Sequence, residues 1–298
     1  MSFTLGFRIF ALLALGFVRL SAAVPAAITE DPTPNKEFPA DMMVAAIPSH
    51  GSVMNGVLYI PVGAGPHPAL VFFHGFPGNE QNLDLVQAAR RAGWSVLALH
   101  YRGSWGSPGA FSFGNAIEDA AAAVAYLRTP EIIKGARLAP GRIAVVGHSM
   151  GGFLAAFTGA HDPAIIGVAL ISAWNIGPDS VAGLKGTGRP AMLKDMALNL
   201  PPITGCTAES LLDEALAHAS EWDFVDQAAA LAGRPLLLVN SDDGGALYSE
   251  ALAAAARKAG GKAVTEFHFA TDHSYNDHRI ALQSAVLNWL ETLEPKAH

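Results

Sequence analysis

The stretch VVGHSMGGF, residues 145–153, places one serine between glycines, after the apolar run RIAVV and before the small, apolar pattern GFLAAF. It reads as a strand, a very tight turn and a helix. Gly147 and Gly151 lack side chains where strand and helix crowd together, so Ser149 can be held in strained backbone geometry with its hydroxyl at the tip of the turn. A serine hydroxyl is a weak nucleophile until a base takes its proton. The presentation therefore has chemical value only if a base, an orienting acid and an oxyanion site come from elsewhere in the chain. The Met150 N–H, at the start of the helix, is placed to serve an oxyanion beside Oγ.

Working outward, apolar runs bounded by glycine and proline recur: GVLYIPV, PALVFFHG, WSVLALHYRG, RIAVVGHS, GVALISAW, RPLLLVNSDD and AVTEFHFA. From the third on, most are continuously apolar, the pattern of strands covered on both faces. Alanine-rich helical patterns lie between them from Ala69 onward, which predicts an α/β fold with a mainly parallel, doubly covered sheet. The opening MMVAAIPSHGSVMNGVLYIPVG reads as a hairpin at one edge. Between about 176 and 233 the alternation stops, and a Gly/Pro-rich loop and helical segments predict a small helical cap inserted at the ligand-binding edge of the sheet.

The remaining parts of the site are sought where strands end. In VFFHGFPGN, residues 71–79, Pro77-Gly78 force a turn, and the Phe76 N–H is the candidate second oxyanion donor. His74 is expected to brace that loop. In RPLLLVNSDDGG the strand stops at Asp242 and Asp243: one is expected to orient a histidine base, the other to cap the following helix, with Asp243 preferred as the orienter and Asp242 the alternative acid. His268, His273 and His278 lie together in EFHFATDHSYNDHRIAL. His268 belongs to the last strand pattern, His278 to the final helix, and His273 to the loop between, from which a base can reach back over the sheet edge. Their spacing of five residues suits neither a helix face nor a strand face, so no metal site is expected. Trp105, Phe111 and Phe113 in HYRGSWGSPGAFSFGN are candidates to line or support the substrate pocket.

With 298 residues, 51% apolar and 15% charged, the chain can bury a large core. Its net charge of −7 and lack of a basic patch exclude a nucleic-acid partner. Residues 1–23 carry an early Arg8, a short apolar run and small residues at Ser21–Ala23, the pattern of a secretory signal peptide, which predicts a periplasmic or secreted protein. Arg19 interrupts the run short of a membrane span, so no stable membrane insertion is expected after cleavage. Residues 24–48 form a polar lead-in and 49–298 the folded domain. Cys206 is the only cysteine and is read as a small apolar filler rather than a nucleophile.

In the order HGFPG, HYRGSWGSPG, GHSMGG, SDDGG and TDHSY, from about Ser49 to Leu293, the chain resembles the α/β-hydrolase superfamily. Within it the likeness is to small exported esterases and to prolyl-oligopeptidase and dienelactone-hydrolase catalytic domains. The resemblance implies about eight strands, Ser149 as nucleophile, His273 as base, a lid in the insertion and no cofactor. One departure bears on the acid: relatives usually read Gly-x-x-Asp after the strand, and VNSDDGG is shorter. The activity implied is hydrolysis of carboxylic esters through an acyl-enzyme. The alternative is a small prolyl-oligopeptidase-like peptidase acting on short peptides.

Overall fold

The computed structural model describes residues 24–294, and the expected signal peptide lies outside them. After a short helix, α1 (Ala26–Thr29), β1 (Asp41–Ser49) and β2 (Ser52–Ile60) form the expected hairpin, antiparallel with Ser49 opposite Ser52. His50 and Gly51 both have positive φ at the two-residue turn, as the right-handed twist of a hairpin favours.

Strand and helix then alternate: β3 (His67–Phe73), α2 (Leu83–Arg91), β4 (Ser95–Leu99), α3 (Phe113–Leu127), a short α4 (Pro130–Gly135), β5 (Leu138–His148), α5 (Met150–His161) and β6 (Ile165–Ile171). Between β6 and β7 the chain forms α6 (Ile176–Gly186), α7 (Arg189–Leu198), α8 (Ala208–Ala217), a 3₁₀ turn at Phe224–Gln227 and α9 (Ala228–Leu231). It closes with β7 (Leu236–Asn240), α10 (Ala246–Lys258), β8 (Val264–His268) and α11 (Arg279–Thr292). The eight strands make one sheet in the order β1-β2-β4-β3-β5-β6-β7-β8, parallel from β4 to β8.

The apolar runs are explained by burial on both faces. In β3, Val71 and Phe73 point to one core with Val145, Leu170, Phe153 and Leu154, while Leu70 and Phe72 point to the other with Val146, Leu85 and Leu290. Successive residues thus enter opposite cores, and neither position tolerates water. Each such side chain contributes about 1.5–3 kcal/mol relative to exposure. β8, at the edge, keeps Phe267 and His268 exposed.

Asp119, on α3 and fully buried, accepts hydrogen bonds from the Arg102 side chain at 2.6 Å, the Arg102 backbone N–H at 2.8 Å and the Ser49 hydroxyl at 2.6 Å. One carboxylate therefore ties the hairpin to the loop after β4. The cap is tied to that loop as well: Trp105 N–H donates to Pro202 at 2.9 Å, Thr204 N–H to Gly103 at 2.7 Å, and Phe111 N–H to Thr204 at 2.9 Å. Among the described residues no helix is long and apolar enough to cross a membrane.

Candidate active site

Ser149 sits between β5 and α5 with φ 58° and ψ −122°, a conformation that a non-glycine residue adopts only under constraint. The constraint is visible. Ser149 N–H donates to Ile171 at 2.9 Å, and its carbonyl accepts from Gly152 at 2.9 Å and Trp174 at 3.0 Å. A Cβ on Gly147 would lie 1.8 Å from the Gly151 carbonyl oxygen, and one on Gly151 would lie 1.9 Å from that of Phe73. Both elbow glycines are thus dictated by backbone meeting backbone.

The loop after β3 lies directly against the serine, since a Cβ on Gly75 would fall 2.8 Å from Ser149 Cβ. The Phe76 and Met150 amides donate to no described residue. His74 braces the loop in the manner expected: Nδ1 donates to the Gly75 carbonyl at 2.7 Å, and the Tyr101 hydroxyl holds the His74 carbonyl at 2.8 Å. Burial lowers the His74 pKa to about 3, keeping the ring neutral.

Asp243 Oδ2 accepts from His273 Nδ1 at 2.7 Å, while its Oδ1 accepts from Gly245 N–H at 2.8 Å. Burial raises the Asp243 pKa, but the His273 and Gly245 hydrogen bonds outweigh it and hold the carboxyl at about 2. An ionised Asp243 can only accept, so Nδ1 carries the ring proton and Nε2 is left as an acceptor. Asp242, by contrast, pairs with His268 Nε2 at 2.7 Å on the exposed edge. It does not cap the next helix, as expected of the second aspartate. The reason is that consecutive loop residues face opposite ways, and it is Asp243 that also binds an amide at that helix start. His278 is the N-cap of α11, not an interior residue, because Tyr275 N–H and His278 N–H close turns just before the helix.

Ser149, Asp243 and His273 line one cavity of about 310 Å³ with Ser172, Trp174, Asn175, Asp179 and Tyr248. Among the described residues Ser149 Oγ makes no hydrogen bond, to His273 or otherwise. Such contacts commonly tighten only when a substrate is bound. Trp105, Phe111 and Phe113 line no part of this cavity. Phe111 and Phe113 are buried behind Phe76, with ring centroids 5.5 and 5.6 Å away, and Trp105 donates its indole N–H to Pro77 at 2.7 Å. They support the loop after β3.

Several contributors escape sequence reasoning. The Tyr275 hydroxyl donates to the Val239 carbonyl at 3.0 Å and meets Ser172 Oγ at 2.9 Å, which in turn meets Ser241 Oγ at 2.7 Å. This buried hydroxyl chain ties the His273 loop to the ends of β6 and β7. His148, beside the serine, is also buried, and burial lowers its pKa to about 3. Its Nε2–H donates to the His273 carbonyl at 2.8 Å, while Nδ1 is left without a partner. The only sequence signal was its place inside the Gly-x-Ser-x-Gly turn.

No curated sequence matches the chain. Several solved structures share its fold. EstE1, a thermostable carboxylesterase cloned from a metagenomic library, aligns with TM-score 0.63 and 22% identity over 87% of this chain and 91% of its own. The esterase Pf2001 of Pyrococcus furiosus aligns with TM-score 0.61 and 18% identity over 88% and 99%. Est1E of Butyrivibrio proteoclasticus, with ferulic acid bound, aligns with TM-score 0.67 and 20% identity over 84% and 98%. A family model for the α/β hydrolase fold matches residues 68–221, from β3 through the serine elbow and into the cap, and the eight-stranded sheet has the strand order described above; the chain belongs to the α/β-hydrolase family.

Proposed function

We propose that the protein is a serine hydrolase of carboxylic esters, working through an acyl-enzyme on Ser149. The observation that carries the reading is the 2.7 Å bond from His273 Nδ1 to Asp243, made in the same cavity that receives Ser149. Carboxylesterases and esterases among the structures of like fold support it. As Ser149 Oγ bonds to the acyl carbon, its proton passes to His273 Nε2, and the Phe76 and Met150 N–H groups receive the oxyanion. Collapse of the tetrahedral intermediate breaks the bond to the alcohol, which leaves with that proton. Water then gives its proton to His273, attacks the acyl carbon and releases the acid, and Ser149 recovers its proton. Export, with cleavage near Ala23, belongs to the same proposal and is checked by N-terminal sequencing of the protein from its native source.

The direct test is fluorophosphonate labelling of wild type and Ser149→Ala, read by mass spectrometry, beside a panel of 4-nitrophenyl esters and 4-nitroanilide peptides. An adduct on Ser149 with faster ester than anilide turnover is expected. A folded protein that takes no adduct refutes the reading, and selective anilide turnover makes the enzyme a peptidase.

A further inference from the structure

Arg279, the first residue of α11, touches two loops at once. Its Nε donates to Asp84 Oδ2 at 2.9 Å and its Nη2 to Asp84 Oδ1, a two-point grip on a carboxylate in the first turn of α2. Gln283, one turn further along α11, donates to the same carboxylate at 2.8 Å. With its plane set in this way, the guanidinium turns its other donors to the loops. Nη1 donates to the carbonyl of Ser274, the residue after His273, at 2.9 Å. Nη2 donates to Asn82 Oδ1 at 3.0 Å, where the loop after β3 enters α2.

Each contact falls at the root of a loop that the proposed reaction uses. Asn82 is buried, and its left-handed backbone, with φ 52°, closes the loop that carries Phe76. The successive carbonyls of His273 and Ser274 are taken by different partners, the first by His148 Nε2–H at 2.8 Å and the second by Arg279. The first contact ties the His273 loop to the serine elbow, and the second ties it to the loop after β3. The type of side chain matters. Arginine presents five N–H groups in a rigid planar fork, and four are used here, two on Asp84, one on Asn82 and one on Ser274. A lysine ammonium can meet the carboxylate, but it has no fork with which to fix both loops as well. Burial pushes the Asp84 carboxyl up, yet the Arg279 hydrogen bonds outweigh it and hold the group below its ordinary value, so the pair stays charged at neutral pH.

We propose that Arg279 is a positioning residue that locks the loop carrying His273 to the loop carrying Phe76. It thereby fixes the distance between the ring that takes the serine proton and the amide that receives the oxyanion. Both groups must meet the same transition state, and a slip of ~1 Å between them costs about 10²-fold in rate. The effect on turnover rests on the ester-hydrolase reading; the mechanical coupling of the two loops does not.

The test compares three variants with wild type. Arg279→Met keeps the reach of the side chain and removes every donor. Arg279→Lys keeps the charge and loses the fork. Asn82→Gly, at a positive φ that glycine adopts freely, cuts only the tie to the loop after β3. It leaves the Arg279–Asp84 pair intact, so it answers the question even if Arg279→Met does not fold. For each, kcat and KM on a short 4-nitrophenyl ester are measured well below the unfolding midpoint, beside hydrogen–deuterium exchange in peptides covering 75–82 and 271–278. Arg279→Met should lower kcat by about ten- to hundredfold with KM within about threefold, and should speed exchange in both peptides about tenfold or more. Arg279→Lys should regain most of the lost stability but not the lost kcat. Asn82→Gly should loosen the first peptide and lower kcat about three- to tenfold, the value of one hydrogen bond. The inference is overturned if Arg279→Met loosens α2 and α11 but leaves either loop unchanged, if kcat is unaltered in Arg279→Met or Asn82→Gly, or if lysine restores kcat in full. If wild type turns over no ester while both peptides loosen together in Arg279→Met, the coupling stands and the hydrolase reading falls.

Discussion

Asp243→Asn is the perturbation that asks most of the proposed triad. The carboxylate accepts from His273 Nδ1 at 2.7 Å and, ionised, cannot do otherwise. A carboxamide at the same place can turn its NH₂ toward the ring, which then holds its proton on Nε2 and cannot take one from Ser149. Loss of the orienting carboxylate in a Ser-His-Asp triad costs about 10⁴-fold in kcat, or roughly 5 kcal/mol of transition-state stabilisation. The neighbouring Asp242→Asn touches only the exposed pair with His268, whose side chains are 61% and 46% exposed, and should change kcat/KM by less than twofold.

Stability gives an independent reading of the same substitution. The folded pKa of Asp243 lies at about 2 instead of 3.8 and its side chain is only 12% exposed, so at ~1.4 kcal/mol per pH unit its ionised form adds about 2 kcal/mol. A depressed carboxylate pKa stabilises the fold above the unfolded value, and the benefit fades as pH falls from about 4 toward 2. Asp243→Asn should therefore be less stable than wild type at pH 7 by up to that amount, with the gap closing at the acid end. Steady-state kinetics on a short ester, with urea unfolding at pH 7 and pH 3, checks both. If Asp243→Asn keeps more than a tenth of its activity while Asp242→Asn loses most, the orienting role belongs to Asp242 and the tautomer argument is wrong.

Four further outcomes are expected. Ser149→Ala and His273→Ala should each fold and lose ester turnover by 10³-fold or more, measured by single-turnover kinetics. His148→Leu removes the donor that holds the His273 carbonyl and should lower kcat about tenfold or more, while His148→Gln, which restores a donor of similar reach, should recover most of it with KM unmoved. His148, neutral when folded with a pKa near 3 and free to charge near 6.5 when unfolded, takes up a proton on unfolding, so stability falls as pH drops from about 6.5 toward 3; the slope of urea-derived stability against pH should be about 1.4 kcal/mol per unit shallower in His148→Gln. Asp119→Ala leaves Arg102 paired only with Glu118 and takes the acceptor from the Ser49 hydroxyl and the Arg102 amide, and calorimetry should register a loss of about 3 kcal/mol.

The fold was legible because its physics is local and repeated. Strands buried on both faces must be apolar along their length, as β6 is and as β7 is up to its last residue, Asn240, and the glycine pair around Ser149 is forced by backbone contact. Those constraints act on residue type, and residue type is what a sequence displays. Asp242 and Asp243 differ in nothing but the direction in which the loop points them, and only the turn closed by Gly245 N–H on Asp243 decides it. The aromatic residues Phe111 and Phe113 were equally ambiguous: a pocket wall and the support behind a pocket wall demand the same side chains, and burial at 2% and 0% separates them.

What a sequence could not display is pairing across long separations. His148 reaches His273 over 125 positions, and Ser172 meets Tyr275 over 103. Both contacts end on the loop that carries His273, which between β8 and α11 buries only Thr271 and Tyr275. A histidine proposed to meet Ser149 on one side and held by Asp243 on the other needs its backbone fixed as firmly as its ring. The elbow supplies one anchor through His148, and the ends of β6 and β7 supply the second through Tyr275. If both anchors act together, His148→Leu combined with Tyr275→Phe should cost more than the product of the single effects, because either contact alone still limits the loop. A purely multiplicative double-mutant cycle in kcat, with stability matched, would instead mean that the two contacts hold parts of the loop that move independently.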